Sequence, residues 1–308
     1  MNTCKIITYH YVHPVKYSNY PKLKSLDFDN FKNQINYLQK IGNIITIEQI
    51  FDCINKNTDL PKNSFLLTFD DGLKDIYTYV FPFLKKNHLQ GTFFPITNTI
   101  EKHFVADVHK IHIILANTND KQKIVEQIQN FIKLYKKKFN LKELEEYYSE
   151  LRPHRYDSKE INFIKQMLQR KLPLTLRKIL VNGLFKKFVG KNEQDFSKKF
   201  YVSTDEMKEM SENGMIFGNH SYSHPWLTEL PLDEVKKEIQ KSNNFLKKFQ
   251  PNGIKCISYP YGDFNQKIVD ICRDERLDMG FTITPKDTVI DKKNALLLSR
   301  YDTNDFPQ

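Results

Sequence analysis

Short apolar runs that end in polar turns alternate along this chain with stretches whose apolar residues recur at helical spacing. Lys5-Ile6-Ile7-Thr8-Tyr9-His10, Phe65-Leu66-Leu67-Thr68-Phe69, Gly91-Thr92-Phe93-Phe94-Pro95-Ile96, Met215-Ile216-Phe217 and Cys256-Ile257-Ser258 read as strands. Ile44–Ile47, Phe281–Ile283 and Leu296–Leu298 are further strand candidates. Phe28, Phe31, Ile35 and Leu38 predict a helix that stops near Gly42, and Tyr77 to Lys86 predicts another. Ser203-Thr204-Asp205-Glu206 is a capping box for a helix ended by Gly214, and helices follow from Pro231 and over Gln266 to Arg276. A strand, helix, strand rhythm argues for a parallel α/β fold.

Residues 101–200 break that rhythm. Ile111, Ile114, Leu115, Ile124, Ile128, Phe131, Leu134, Ile161, Ile164, Met167 and Leu168 recur at helical intervals with polar residues between them. The expected organisation is therefore an α/β part over 1–100, a helical insertion over 101–200, and the return of the α/β part over 201–308. The whole formal charge of +10 sits in the insertion, which holds 22 Lys/Arg against 12 Asp/Glu, while the remainder balances at 25 of each. Lys136-Lys137-Lys138, Arg177-Lys178 and Lys186-Lys187 form either a solvated helical face or a surface for a phosphate-bearing substrate or an anionic membrane. No nucleic-acid recognition motif accompanies the charge, so no nucleic-acid partner is expected. Cys4, Cys53, Cys256 and Cys272 are scattered and suggest neither a disulfide framework nor a zinc knuckle. The first residues contain no apolar leader and no run of about 18 apolar residues occurs, so a soluble, cytoplasmic protein is expected if residue 1 is the natural start. Oligomeric state is not legible.

The chemistry concentrates where apolar runs end. Phe65 to Phe69 delivers Asp70-Asp71-Gly72 to a strand tip, the place where ligand sites gather in α/β folds. Neighbouring side chains on a strand point to opposite sides, so the two aspartates share a pocket only if the chain turns, which Gly72 permits. Two adjacent carboxylates repel, and a divalent cation taking one leaves the other as a base. A solvated turn in which one aspartate caps the next helix is the alternative. Met215-Ile216-Phe217 leads to His220 and His224, whose spacing on a helical turn places both imidazoles on one face. With Asp71 they make a two-histidine, one-carboxylate set that leaves coordination positions open. Cys256 to Ser258 ends in Pro260-Tyr261-Gly262, a turn able to aim backbone N–H groups at an oxyanion.

Thr68-Phe69-Asp70-Asp71-Gly72, His220-Ser221-Tyr222-Ser223-His224 and Tyr259-Pro260-Tyr261-Gly262 resemble, in order, the first three motifs of the polysaccharide deacetylase family, carbohydrate esterases with a NodB-type domain. The resemblance covers 1–100 and about 201–308. It implies an irregular TIM-like (β/α)7 barrel and metal-dependent hydrolysis of the acetamide of an N-acetylated amino sugar, while the middle is not explained by it; the insertion, set between the Asp-Asp and His-x-x-x-His motifs, is expected as a lid or substrate platform. Asp71, His220 and His224 would hold the cation, Zn²⁺ by default with Co²⁺, Ni²⁺ or Fe²⁺ as alternatives. Asp70 would be the general base and the Tyr261 N–H an oxyanion donor. His10, ending an N-terminal Tyr-His strand found in some branches, would be the acid, with His13 its rival. The substrate would be a surface glycan or its precursor, carried on a nucleotide or lipid diphosphate.

The chain departs from the family in two places. Ser258 stands where many relatives carry an arginine that contacts the base, and Arg300 is a candidate substitute. Leu296 to Arg300 lacks the C-terminal Leu-x-His motif. Trp226 is either a sugar-stacking surface or core. Asp107, His109 and His112 form either a second metal site or a helix flank, and Arg152-Pro153-His154-Arg155 either an anion site or an exposed loop. Three other functions stay open: an amidohydrolase acting on a small cyclic amide or purine-derived substrate, a non-haem Fe(II) enzyme, and an inactive carbohydrate-binding module.

Overall fold

The computed structural model describes residues 2–151 and 157–307. Arg152 to Arg155 lie outside the described residues. By contact the chain divides into two compact units, one of residues 1–16, 25–104 and 197–308, the other of 17–24 and 105–196.

In the first unit, parallel pairing runs from strand Thr3–Tyr9 to Ser64–Asp71, then to Thr92–Pro95 and Ile216–Phe217. It continues through an Asn219–Ile257 bridge to Cys256–Ser258 and Met279–Phe281, and through a Phe281–Leu298 bridge to the last segment. Tyr301–Asp302 then pairs with Ile7 and Thr8, which closes an irregular parallel barrel on its first strand. The (β/α) barrel expected from the motifs is the fold. Because every pair in this circuit is parallel, the carboxyl ends of the strands share one rim, and that rim is where barrel sites are built.

Strand alternation sorts the residues. Ser64–Asp71 is buried throughout, as a strand covered on both faces must be. Leu66, Thr68 and Asp70 share one face with Ile6 and Thr8 of the neighbouring strand, and Arg300 reaches Thr68 and Asp70 on it. Tyr9, Phe69 and Phe93 occupy the other face, stacked with ring centroids 5.1 and 4.8 Å apart and covered by Phe31 of helix Phe28–Ile41.

Several elements differ from the sequence reading. Ile44–Ile47 is not one strand: Asn43–Ile44 pairs briefly, and Thr46 then caps helix Ile47–Lys56 through a reciprocal bond with Gln49. The β-branched isoleucines suggested a strand, but the cap decided for a helix. Ala295–Leu297 is a single 3₁₀ turn, so only Leu298 of that apolar run reaches the barrel. The capping box at Ser203 is present as read.

The second unit is helical, over Asp107–Asn117, Gln122–Phe139, Leu144–Ser149, Lys159–Gln166 and Leu174–Phe188. Ile111, Ile114, Ile124, Ile128, Phe163, Met167, Leu176 and Leu180 are buried. Leu134, read as part of the apolar stripe, is 75% exposed, because the helix turns Ile124, Val125, Ile128 and Ile132 inward instead. Lys110 is buried and compensated by Glu193 at 2.7 Å and Asn182 at 2.7 Å. No helix among the described residues is long and apolar enough to cross a membrane.

Gly280 lies where the barrel closes, and a Cβ there would collide with the Leu296 carbonyl and approach the Tyr259 hydroxyl. Gly183 sits in the exposed part of helix Leu174–Phe188 with open space around it. Gly280→Ala is expected to destabilise the protein by about 1–3 kcal/mol through overpacking. Gly183→Ala is expected to stabilise its helix by roughly 0.5–1 kcal/mol. Urea denaturation of both variants checks the two signs.

Candidate active site

Asp70 and Asp71 come off one strand yet serve one site, and the backbone shows how. Asp70 keeps the strand's inward direction, whereas Asp71 adopts a left-handed conformation at φ 72° and Gly72 follows at φ 70°. The turn assigned to Gly72 thus begins one residue earlier. Gly72 is still required, since a side chain there would be strained and would press on Pro95.

Asp71 meets two imidazoles. Its Oδ1 lies 3.4 Å from His220 Nε2 and 3.8 Å from His224 Nε2, and one ligand atom from each of the three falls within 4.8 Å of the others. Among the described residues this is the one such group of histidine, cysteine and carboxylate ligands. Asp107, His109 and His112 are not assembled into a second. His220 Nδ1 lies 2.8 Å from the Ser258 carbonyl, to which it donates as N–H, and this leaves Nε2 to face Asp71. Burial pushes the His220 pKa down, but Asp70 and Asp71 outweigh it and the net direction is up. Two imidazoles and one carboxylate, oriented from behind and short of a closed shell, suit a divalent cation with positions left for water and substrate.

The histidine pair does not ride on a helical turn. Residues 218–226 are irregular, with Ser221 at φ 59° and His224 at φ 60°. The four-residue spacing still works because the loop folds on itself: Ser221 N donates to Asn219 Oδ1 at 2.6 Å, and His224 N donates to Ser221 Oγ at 2.9 Å. Non-glycine residues held in the left-handed region cost on the order of 1–3 kcal/mol each and persist only where the surroundings over-determine them. Asp71, Ser221, His224 and Tyr261 (φ 57°) all belong to this site.

Asp70 is compensated by an arginine from the far end of the chain. Arg300 forms a fork on it, Nη1 to Oδ1 at 2.9 Å and Nη2 to Oδ2 at 2.7 Å, and both residues are buried. Arg300 is itself fixed by the Thr282 carbonyl and Thr68 Oγ1. Ser258 Oγ bridges the pair, donating to Asp70 Oδ2 at 3.1 Å and accepting from Arg300 Nη2 at 2.8 Å. The residue that replaces an arginine therefore makes room for one from elsewhere. Burial raises the Asp70 pKa, but Arg300, with His220 and His10, pulls it further down, to about 2. The carboxylate contributes stability above the ordinary carboxylate range, and that contribution fades as pH falls towards 2.

His10 Nε2 stands 3.9 Å from Asp70 Oδ2 with its side chain 41% exposed. His13 is engaged elsewhere, with Asp75 at 2.8 Å and Ser25 at 3.2 Å. Tyr261 lies with its ring edge-on to His224 (4.5 Å) and stacked on Trp226 (4.2 Å, 3°), so the single tryptophan buttresses the Pro-Tyr-Gly turn. Sequence reasoning missed Asn219, whose side-chain oxygen shapes the histidine loop and whose Nδ2 bonds Ile239 O and Asn243 Oδ1. An asparagine at the end of an apolar run, directly before the first histidine, was the available signal.

Comparison with known proteins bears on this arrangement. A sequence model described as polysaccharide deacetylase matches residues 57–171 and 184–280. The chain is 35% identical over 57 residues to a peptidoglycan-N-acetylglucosamine deacetylase of Bacillus cereus and 27% identical over 88 residues to the uncharacterized protein YlxY of Bacillus subtilis. Those alignments cover 18% and 29% of this chain and 21% and 27% of the relatives, so the chain matches well under two thirds of either. Among solved structures, the Streptococcus pyogenes deacetylase PplD superposes with a TM-score of 0.60 at 19% identity, over 97% of this chain and 92% of that one. IcaB from Ammonifex degensii superposes at 0.58 and 18% identity, over 98% and 92%. At these identities the structural likeness is one of fold.

Removing one member of a buried ion pair strands the other. Arg300→Met is expected to destabilise the protein by about 3–5 kcal/mol at neutral pH, and Arg300→Met with Asp70→Asn by clearly less. A double-mutant cycle in denaturant measures the coupling.

Proposed function

This chain belongs to the polysaccharide deacetylase family, hydrolases of amide C–N bonds, and from that premise we propose that it removes the acetyl group from an N-acetylated amino sugar in a metal-dependent reaction. The observation that carries the reading is the meeting, on one barrel rim, of a buried Asp70–Arg300 pair with the Asp71–His220–His224 group. Asp71, His220 and His224 would hold a divalent cation, with Zn²⁺ the best match to the donor set. When bound, the cation supplies Lewis acidity, polarising the acetyl carbonyl and acidifying water at the site, which lets a carboxylate as acidic as Asp70 act as base.

The chain's own residues do the rest. Arg300 keeps Asp70 ionised and turned inward, ready to accept the water's proton. The backbone N–H of Tyr261, on a turn held rigid by Trp226, donates to the developing oxyanion. His10, beside Asp70 and partly open to solvent, gives a proton to the departing amine, without which the tetrahedral intermediate reverts. The helical unit supports an anionic form of the substrate: residues 17–24 and 105–196 hold 21 Lys/Arg against 11 Asp/Glu, the full formal excess of +10. We read this as favouring an amino sugar carried on a diphosphate, or held at an anionic membrane surface.

Acetate release from N-acetylated sugars, free and diphosphate-linked, tests the proposal. Chelation is expected to abolish release and Zn²⁺ to restore it. Asp70→Asn and His10→Ala are each expected to lower kcat by about 10²–10⁴-fold. Full activity in chelator, or in Asp70→Asn, is incompatible with this mechanism. A diphosphate-linked sugar turned over no faster than the free one removes the carrier from the reading.

A further inference from the structure

The loop that carries both histidines is strained, and one carboxylate outside the ligand set fastens it. Glu238, on helix Leu232–Leu246, accepts from two successive backbone N–H groups through one oxygen, Tyr222 at 3.0 Å and Ser223 at 2.7 Å. Its other oxygen accepts from Ser223 Oγ at 2.8 Å. The same helix receives Asn219 Nδ2 at Ile239 O and Asn243 Oδ1. Tyr222 is tied a second time, its carbonyl accepting from Asn98 N at 2.9 Å and its hydroxyl donating to Glu101.

These contacts fall unevenly on the two ligands. His220 is oriented directly, by the Ser258 carbonyl on Nδ1 and by the strand bridge at Asn219. His224, whose ring lies edge-on to Tyr261, follows Ser221 and the Tyr222-Ser223 peptides, with left-handed residues on both sides of those peptides. We propose that Glu238 is a positioning residue for the metal site, holding the Tyr222-Ser223 segment so that His224 closes on the cation jointly with Asp71 and His220. The inference rests on the metal reading above. The role is geometric: a group that accepts at the right place suffices, whereas a charge at the wrong place does not.

Two conservative variants separate position from charge. Glu238→Gln keeps the reach and an oxygen for the two N–H groups, and its amide can donate to Ser223 Oγ. Glu238→Asp keeps the charge but withdraws it by one methylene. Zn²⁺ affinity, measured by competition with a chromophoric chelator, is expected to fall about 10–100-fold in Glu238→Asp, as for other outer partners of metal ligands, and by no more than about threefold in Glu238→Gln. The visible spectrum of the Co²⁺ form should lose intensity in Glu238→Asp as one imidazole withdraws, and stay close to wild type in Glu238→Gln. Equal affinities in wild type and Glu238→Asp overturn the proposal, as does a greater loss in Glu238→Gln than in Glu238→Asp. Wild-type protein that binds neither metal overturns the metal reading itself, and this role with it.

Discussion

Two carboxylates on consecutive residues at the end of a buried strand are the constraint that the architecture answers. Left alone, they repel in a medium that screens them poorly. The fold treats them differently. Asp70 stays on the strand's inward face and is neutralised by an arginine fork from the chain's last segment, while Asp71 leaves the strand through a left-handed turn and faces two imidazoles. One carboxylate is thereby neutralised inside the protein and the other is left facing the two imidazoles.

This division depends on barrel closure. Arg300 lies 230 residues from Asp70 in the chain, and it arrives because Leu298 pairs with Phe281 on one side while Tyr301 pairs with Ile7 on the other. Small residues make the approach feasible: Gly280 admits the closing segment, and Ser258 leaves the volume that Arg300 fills while bridging the ion pair. The same closure places Thr8, Thr68 and Thr282 around the guanidinium and carboxylate, so a pair that would be expensive to bury in an apolar interior is fully hydrogen-bonded.

The remaining site residues are held by backbone rather than by packing alone. Asp71, Ser221, His224 and Tyr261 all sit in a conformation that L-residues avoid; Ser221 and His224 each donate their own amide to a side-chain oxygen, a carboxylate accepts from the two amides between them, and Tyr261 stacks on an indole. Rigid aim is the gain from that strain. In the helical unit, by contrast, most Lys and Arg side chains among the described residues are exposed over an ordinary apolar core, with Lys110 and Arg177 buried.

The sequence by itself determined what is local. Apolar runs ending in Asp-Asp-Gly, in a histidine pair and in Pro-Tyr-Gly located three strand tips, and helical periodicity marked residues 101–200 as a helical stretch. Ser203 with Glu206 announced a helix start that the structure contains. The partnership of Arg300 with Asp70 was legible only as a vacancy at Ser258 and a basic residue at the end of the chain. The left-handed turn at Asp71, the irregular path from His220 to His224 and the Glu238 anchor were decided by tertiary structure. The reason is physical. Burial periodicity and capping act between residues a few positions apart and leave a trace in the order of amino acids. Strain and buried-charge compensation are settled by whichever group the fold brings within 3 Å, as barrel closure brings Arg300 to Asp70 and the packing of helix Leu232–Leu246 brings Glu238 to Ser223.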